Sequence, residues 1–171
     1  MPALALVLDR LETPIGTMLV VTDADGRLRA LDWVDYEARM HRLLRLHYGD
    51  GGFVLTEGRA PQHVRTALDA YFGGELSAIE QLPVATGGTA LQREVWAALR
   101  TIPVGETLSY GALAKKIARP SAARAVGHAN GANPIGVVVP CHRVIGANAS
   151  LTGYAGGLER KRWLLAHEGA A

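Results

Sequence analysis

Apolar and polar residues alternate in the first part of the chain with the period of two that is typical of β-strands. The pattern predicts strands over Leu4–Leu11, Thr17–Val21 and Leu28–Val34. Asp25 and Gly26 lie between the last two strands, and an Asp-Gly pair tolerates the positive φ that a tight hairpin turn requires. The sequence therefore predicts an antiparallel meander at the amino terminus.

Two amphipathic helices and a linker follow this meander. Apolar residues recur every three or four positions over Tyr36–Tyr48 and Pro61–Phe72, and each segment is followed by glycine. The stretch Leu82–Gly88 contains a proline and a glycine pair, which is the composition of a linker. We therefore predict two domains, residues 1–87 and 88–171.

Local signals in the second half predict further helices and one strand. Thr89 and Gln92 have the spacing of a capping box, in which each side chain satisfies a backbone amide of the other residue. The wholly apolar run Ile135–Val139 predicts a buried strand that ends at a proline. A glycine-rich loop over 146–157 then leads into a last helix, Leu158–His167.

Two short helices between these elements have the dimensions of a helix-turn-helix. Ser109 is expected to cap a helix that ends near Ile117, and Ser121 a helix that ends near Gly131. Ala118-Arg119-Pro120 separates the two. The arrangement is typical of DNA-binding domains, although many helical hairpins bind nothing.

The charge distribution favours a polyanionic partner for the second half. The whole chain has a net charge of +2, but residues 1–87 carry 8 basic and 12 acidic side chains, net −4, whereas residues 88–171 carry 10 and 4, net +6. No acid lies between Glu106 and Glu159, a segment with five Lys and Arg residues. The alternative is a basic face that is merely solvated.

Composition excludes several classes of protein. A single cysteine excludes an internal disulfide and a zinc site built on several thiolates. Residues 125–142 lack Asp, Glu, Lys and Arg, but they are too few and too rich in Gly, Asn and Pro to span a bilayer. The first apolar stretch has no basic flank and no cleavage-like end, so we expect no signal peptide and a cytoplasmic location.

The lone thiol is the strongest candidate for chemistry. Cys141 directly precedes His142 and Arg143, and neighbouring cationic or hydrogen-bonding groups raise the fraction of nucleophilic thiolate. In an extended segment, adjacent side chains point to opposite sides, so the pair can cooperate only through a turn or a bridging water. Glu159 and Glu168 are equally plausible partners for the imidazole at this point. The alternative is an inert cysteine at the end of a core strand.

Four motifs together carry a specific resemblance. Residues 137–146 read VVVPCHRVIG, 151–158 read LTGYAGGL, 121–127 read SAARAVG and 163–168 read WLLAHE. They closely resemble the signature of the O6-alkylguanine-DNA alkyltransferases over residues 88–168. The amino-terminal half, with Thr13-Pro14-Ile15-Gly16 and Asp32-Trp33, is more weakly similar to the bacterial constitutive members of that family.

This resemblance implies a fold and an activity. The fold is an α/β amino-terminal domain of ribonuclease-H-like topology followed by a mainly α, winged-helix or helix-turn-helix-like domain. The activity is repair of double-stranded DNA: an O6-alkylguanine, or an O4-alkylthymine, is flipped out of the duplex and its alkyl group moves irreversibly to Cys141. The resemblance implies that each molecule acts once. We also expect a monomer that needs no cofactor, metal or membrane.

The resemblance also assigns roles to catalytic residues. Cys141 is the nucleophile, His142 its water-mediated base and Glu168, rather than Glu159, the acid that orients the imidazole. Asn133 braces the turn before the active segment. Tyr110 rotates the 3′ phosphate and donates a hydrogen bond to the leaving guanine.

Further positions are expected to contact DNA or the extruded base. Arg124 enters the duplex as a finger that replaces the extruded base, the alternative being an ordinary phosphate contact. The remaining expected DNA contacts are Tyr110, Ala123, Gly127 and Ser121. The expected base pocket consists of Val144, Tyr154, Ala155 and Gly156, with a core aromatic as the alternative for Tyr154.

The chain departs from the pattern of some family members in three respects. Some family members hold a structural zinc through cysteine and histidine in the first domain, but this chain has no cysteine before Cys141, so we expect none. Gly111 and Ala155 replace larger or more polar residues found in some relatives.

Two rival functions are a non-catalytic helix-turn-helix protein, which the presence of Cys141 disfavours, and a cysteine hydrolase, for which no oxyanion-hole motif is evident.

Overall fold

The computed structural model describes residues 2–146 and 153–170, and the chain divides into two compact units, Met1–Gly87 and Gly88–Ala171. In the first unit, the strands β1 (Leu4–Thr13), β2 (Gly16–Thr22) and β3 (Leu28–Trp33) form the predicted antiparallel meander. The helix α1 (Glu37–Tyr48) follows a short 3-10 turn. The meander prediction is confirmed.

The sequence pattern missed one strand of this sheet. The strand β4 (Phe53–Glu57) pairs in parallel with β1, so the strand order is β3-β2-β1-β4. Burial alternates over the first residues of β4, but Val54 is an apolar residue at an exposed position, 57% accessible, so the sequence does not alternate between apolar and polar residues as a half-buried strand should. The helix α2 (Gln62–Phe72) completes the main elements of the unit, one residue shorter than predicted.

One part of the hydrophobic core of the first unit lies between the sheet and α1. Leu6, Leu8, Leu19 and Val21 point from the strands towards Met40 and Leu44 of the helix. Full burial of such a side chain contributes about 1.5–3 kcal/mol to folding. The predicted linker is partly tied to this sheet, because the backbone of Leu28 hydrogen-bonds to Pro83 and Ala85.

The second unit is mainly helical. Its elements are α3 (Ala90–Leu99), the short strand β5 (Leu108–Ser109), α4 (Tyr110–Lys116), α5 (Ala123–Gly131), the short strand β6 (Val144–Ile145) and α6 (Leu158–His167). The capping box at the start of α3 is confirmed, with Thr89 Oγ1 accepting from the amide of Gln92 and Gln92 Oε1 from that of Thr89. Ser109 caps α4 as predicted, its Oγ accepting from the amide of Ala112 at 3.0 Å.

Two local predictions for this unit are wrong. Ser121 does not cap α5: the N-cap residue is Ala122, with no side-chain hydrogen bond, and Ser121 is exposed before it. Ile135–Val139 is not a strand but a series of turns. Its apolar residues are buried because the turns lie in the core, and burial alone does not distinguish a strand from a buried turn.

The turn between α4 and α5 ends α4 in a strained conformation. The amides of Ala118 and Arg119 bond to the carbonyls of Lys115 and Ala114, which is the Schellman pattern. Ala118 has φ +59°, a left-handed conformation in which a Cβ is unfavourable and glycine is preferred.

Ala118→Gly is therefore expected to stabilise the fold by about 0.5–1 kcal/mol, since it removes the Cβ penalty of the left-handed backbone. Chemical denaturation of parent and variant measures the difference. The matched control is Ala125→Gly in the exposed part of α5, which should destabilise by about 1 kcal/mol because glycine is unfavourable in a helix. Equal destabilisation by both substitutions would contradict the assignment of strain to Ala118.

Candidate active site

A pair of short strands fixes the frame of the site. In the second unit, β5 and β6 pair in parallel, Leu108 opposite Val144 and Ser109 opposite Ile145. Tyr110 follows directly on β5, and Cys141 lies three residues before β6. The pairing therefore anchors the start of α4 and the segment with the thiol to each other.

The backbone before Cys141 changes direction twice within four residues. Val137 has φ +68° and its neighbours close a γ-turn, the amide of Val138 bonding to the carbonyl of Gly136 at 2.8 Å. Pro140, with φ −82° and ψ 65°, is the centre of an inverse γ-turn closed from Cys141 to Val139. A β-branched residue at positive φ costs about 1–3 kcal/mol and needs support from its surroundings.

Asn133 supplies part of that support. Its Oδ1 accepts from the amide of Ile135 at 2.9 Å and its Nδ2 donates to the carbonyl of Val139 at 2.8 Å. Both atoms of the buried amide therefore hold backbone groups on either side of the strained Val137. Asn133 therefore links the backbone on the two sides of this turn.

Cys141 opens a 3-10 turn, Cys141–Arg143, rather than continuing an extended segment. The thiol residue is 5% exposed and lines a cavity of about 340 Å³. The other described residues that line the cavity are Tyr110, Gly127, Asn130, Gly131, Gly153, Tyr154 and Ala155. The nucleophile candidate is thus reached from a cavity and not from the open surface.

His142 and Glu168 form a buried pair next to the thiol residue. His142 Nε2 lies 2.9 Å from Glu168 Oε2, and both side chains are fully buried. Burial lowers the pKa of His142; the Glu168 carboxylate opposes this effect, and the cations of Arg143 and Lys161 add to it. The imidazole is therefore neutral at pH 7, with Nε2–H donating to Glu168. His142 Nδ1 has no hydrogen-bond partner among the described residues, which leaves it as a proton acceptor.

Arg143 holds Glu168 from the other side. Its Nε donates to Glu168 Oε1 at 2.8 Å and its Nη2 to Oε2 at 3.0 Å, while Nη1 donates to the carbonyl of Ile102 at 2.7 Å. A forked guanidinium–carboxylate contact fixes the carboxylate in position and orientation. Sequence reasoning considered Arg143 only as a neighbour of the thiol. In the structure it holds the Glu168 carboxylate with two hydrogen bonds.

Lys161 is a second buried cation, and no sequence prediction included it. It is fully buried on α6 and donates from Nζ to the carbonyl of Val144 at 2.7 Å. Burial lowers the pKa of Lys161, and the charge of Cys141 raises it. Lys161 therefore places a buried positive charge on the backbone three residues from Cys141.

The spacing on α6 could have revealed this residue. Lys161, Leu164, Leu165 and Glu168 are at i, i+3, i+4 and i+7, which is one face of a helix, and all four are buried. Two charged residues in an apolar stripe are a signal for a buried ionic site. Glu159 does not share the stripe and is exposed.

The predicted DNA contacts lie at the start of α4, on α5 and, for Ser121, in the turn before α5. Arg124 is exposed on the second residue of α5, and Gly127 and Gly131, one and two turns further on the same face, line the cavity. A Cβ on Gly127 would lie 3.6 Å from the ring of Tyr110, so the helix approaches that ring closely. Ala123 is half-buried at the first residue of α5.

The predicted base pocket coincides only in part with the cavity. Tyr154 and Ala155 line it, and the Tyr154 ring meets the His142 ring edge to face with centroids 6.5 Å apart. Val144 is fully buried and Gly156 is buried with its carbonyl bonded to Arg160; neither lines the cavity in the described part of the chain. Positions 147–152 of the predicted glycine-rich loop lie outside the described residues.

The described part of the chain contains neither a membrane-spanning helix nor a cluster of metal-ligating side chains. None of the helices in the described part is long and apolar enough to cross a membrane. Within residues 2–146 and 153–170, no three His, Cys, Asp or Glu side chains are grouped so that they could hold a metal ion.

Comparisons with known proteins agree over both halves of the chain. Residues 7–86 match the model of the 6-O-methylguanine DNA methyltransferase, ribonuclease-like domain, and residues 90–170 match that of the 6-O-methylguanine DNA methyltransferase, DNA binding domain. The methylated-DNA--protein-cysteine methyltransferase of Shigella flexneri is 53% identical, and that of Salmonella typhimurium 54% identical, each over 97% of both chains.

Solved structures agree as well. A Mycobacterium tuberculosis OGT in complex with DNA superimposes with a TM-score of 0.80 at 41% identity, covering 96% of this chain and 93% of that one. An O6-methylguanine methyltransferase of the same organism gives a TM-score of 0.78 at 39% identity. With two family models that together span almost the whole sequence and relatives more than half identical, the chain belongs to the 6-O-methylguanine DNA methyltransferase family.

Proposed function

We propose that this protein repairs double-stranded DNA by moving the alkyl group of an O6-alkylguanine, or of an O4-alkylthymine, to its own Cys141. The observation that carries the proposal is the single thiol in the wall of a cavity, next to a buried His142–Glu168 pair. Relatives that are more than half identical are named for transfer from methylated DNA to a protein cysteine, and a structural relative was solved with DNA.

The transfer is a single displacement at the alkyl carbon. The thiol proton of Cys141 passes through a bridging water to His142 Nδ1, and the thiolate attacks the alkyl carbon. The S–C bond forms as the C–O6 bond breaks, and the bonding electrons remain on the guanine. Tyr110, on the cavity wall, donates a hydrogen bond that stabilises the departing base. The thioether is stable, so each molecule reacts once.

The base must leave the helical stack before this reaction, because a thiol inside a cavity cannot reach an alkyl group in a stacked pair. Arg124 is exposed on the cavity-lining helix α5 and fills the space of the extruded base. Tyr110, Ala123, Gly127 and Ser121 contact the DNA around it. Tyr154 and Ala155 hold the base in the cavity, with Val144 and Gly156 supporting the wall.

We assign DNA binding and alkyl transfer to residues 88–171. The α4–α5 pair with the small β5–β6 sheet supports a winged-helix or helix-turn-helix-like type, and the strand order of the first unit supports a ribonuclease-H-like topology for residues 1–87. The thiol supplies the nucleophile, His142 accepts its proton and the departing base takes the bonding electrons. The reaction therefore needs neither a metal nor a cofactor. The protein acts as a cytoplasmic monomer.

The test is stoichiometric. Intact-mass measurement after incubation with a duplex that contains one O6-methylguanine should show one added methyl group per protein molecule, located on Cys141 by peptide mapping, however large the excess of DNA. An unmodified protein that binds the lesion would instead indicate a non-catalytic binder, and repeated turnover would indicate a hydrolase.

Arg124→Ala is expected to slow transfer from duplex DNA by about tenfold or more at saturating protein. Without the arginine side chain, nothing fills the space of the extruded base, so the free-energy cost of unstacking that base is not offset. Reaction with the free base O6-methylguanine, which needs no flipping, should change little. The measurement is the single-turnover rate on each substrate.

Lys116→Ala is the matched control, an exposed basic residue on α4. As a phosphate contact it should weaken binding and reduce the salt slope by about 1 without lowering the saturated rate. If Arg124→Ala behaves in the same way, Arg124 is an electrostatic contact and not a finger.

A further inference from the structure

A closed loop, residues 135–139, precedes the segment with the thiol. The amide of Val139 donates to the carbonyl of Ile135 at 3.0 Å, which joins the two ends of the loop. Asn133 binds the same two ends, because its Oδ1 accepts from the Ile135 amide and its Nδ2 donates to the Val139 carbonyl. These three hydrogen bonds tie the ends of the loop together.

Val137, at the tip of this loop, has a conformation that valine rarely adopts. Its φ is +68°, and the amide of Val138 donates to the carbonyl of Gly136 at 2.8 Å, which is the pattern of the rarer, strained form of γ-turn. Within the described part of the chain, Ala118 is the one other non-glycine residue with positive φ, and it lies at the end of a helix, where this conformation is common. Val137 has no such local reason, so its surroundings must hold it.

Packing in the core holds Val137 in this conformation. Its side chain is fully buried, and those of Val138 and Val139 beside it are 4% and 1% exposed. A β-branched side chain has few rotamers, so a buried valine at the tip fixes the direction in which the loop points. Strained residues of this kind persist only where the surrounding structure over-determines them, and they cluster at active sites.

The loop is linked directly to the backbone of the thiol residue. The carbonyl of Val139 accepts from Asn133 Nδ2 and also from the amide of Cys141, each at 2.8 Å. Pro140 alone lies between Val139 and Cys141, and its ring restricts φ, which is −82° here. The position of the Cys141 backbone therefore follows from the position of the loop.

We propose that Val137 is a positioning residue for the alkyl transfer, one that holds the loop in its strained form and so keeps Cys141 Sγ in line with the alkyl carbon. The inference rests on the proposed function. Among the described residues, Val137 is not one of those that line the cavity, so it acts through the Val139 carbonyl on the Cys141 backbone. A displacement of about 1 Å at a reacting group costs about 10²-fold in rate, so a small loss of order in the loop is measurable.

The experiment separates strain from packing by two substitutions at one position. Val137→Ala and Val137→Gly both remove the branched methyl groups, but alanine keeps the Cβ that makes a positive φ unfavourable, whereas glycine does not. Single-turnover rates are measured at saturating protein on a duplex with one O6-methylguanine, and on the free base, together with DNA affinity and chemical denaturation. Ala118→Gly is the matched control, since it relieves the strained residue in the turn between α4 and α5.

Val137→Gly should withstand at least as much denaturant as Val137→Ala, because its backbone is free of strain. It should nevertheless react about tenfold or more slowly than Val137→Ala on both substrates, at the parent's DNA affinity, because glycine lets the loop adopt other conformations. Ala118→Gly should keep the parent's rate on the free base. If Val137→Gly reacts as fast as Val137→Ala, or if Ala118→Gly slows the free-base reaction equally, the strained tip contributes only to folding and the inference is wrong.

Hydrogen exchange in the parent tests the same inference if a variant does not fold. The amides of Val138 and Val139 should exchange as slowly as the buried amides of α3, since a locked loop opens only when the second unit unfolds. Loop amides that exchange about 10²-fold or more faster than those of α3 would show local opening and would overturn the inference. A parent that is not methylated at Cys141 by the methylated duplex would instead refute the proposed function, and this inference with it.

Discussion

Replacing Cys141 with serine is expected to abolish methyl transfer while DNA affinity stays close to that of the parent. A serine hydroxyl is far harder to ionise than a thiol and is a weak nucleophile without strong activation. Serine is also slightly smaller than cysteine, so it fits the cavity wall without a clash. The variant separates docking from chemistry.

Two measurements on the same duplex check this expectation. Fluorescence anisotropy gives the affinity of parent and variant for DNA with a single O6-methylguanine, and intact mass gives methylation. A methylated serine variant, or a parent methylated elsewhere than Cys141, would contradict the assignment of the nucleophile. A variant that loses affinity as well would show that the thiol contributes to docking.

Signals that act within one turn of a helix were predictable from the sequence. The capping box of Thr89 and Gln92 and the Ser109 cap of α4 are set by residues three positions apart, and both are confirmed. The strand β4 depends on pairing with β1, some fifty positions away, and its own pattern is too weak to show it. The strand β4 therefore forms because it pairs with β1, not because of its own sequence pattern.

The turns before Cys141 could not be predicted for a different reason. A run of five apolar residues is compatible with a strand, whereas in the structure the amide of Asn133 and the surrounding core hold Val137 at positive φ. Ser121 similarly has the residue type of a helix cap, but α5 begins two residues later. In both cases packing overrides a local preference.

The choice between Glu159 and Glu168 was open to sequence reasoning, apart from the family resemblance, because both acids lie near the last helix. The structure separates them by burial: Glu168 joins the buried face with Lys161 and contacts His142, whereas Glu159 is exposed. The spacing of Lys161 and Glu168 places both residues on one face of the helix. That spacing identifies the buried acid only when it is known that this face is buried.

Glu168→Gln is expected to impair both stability and chemistry. The substitution keeps the shape of the side chain but removes the negative charge that pairs with the buried Arg143 guanidinium. Removing one partner of a buried ion pair typically costs about 3–5 kcal/mol. Methyl transfer should fall by about 10²–10⁴, the usual contribution of a positioned acid–base group, because the glutamine lacks the negative charge that stabilises protonated His142 and has only one acceptor oxygen for His142 and Arg143.

The matched control is Glu159→Gln on the same helix, where the acid is exposed. It should leave both the free energy of unfolding and the transfer rate within a small margin of the parent. Chemical denaturation measures the free energy of unfolding. The transfer rate is measured in single-turnover reactions at saturating protein, below the melting temperature of each variant. Equal effects of the two substitutions would contradict a special role for Glu168.

The pH dependence distinguishes a chemical role from a purely structural one. Because burial holds the pKa of His142 below the usual imidazole value, the neutral form that accepts a proton predominates at pH 7, and transfer should decline only as the pH falls through that lowered pKa. The folded state binds this proton less readily than the unfolded state, whose imidazole has a pKa of about 6.5. The free energy of unfolding should therefore fall as the pH drops from about 6.5 through the lowered pKa of the folded protein. Glu168 opposes the shift, so Glu168→Gln should move the acid limb of the rate profile to still lower pH. If the rate falls but the limb stays in place, Glu168 supports the fold without acting through His142.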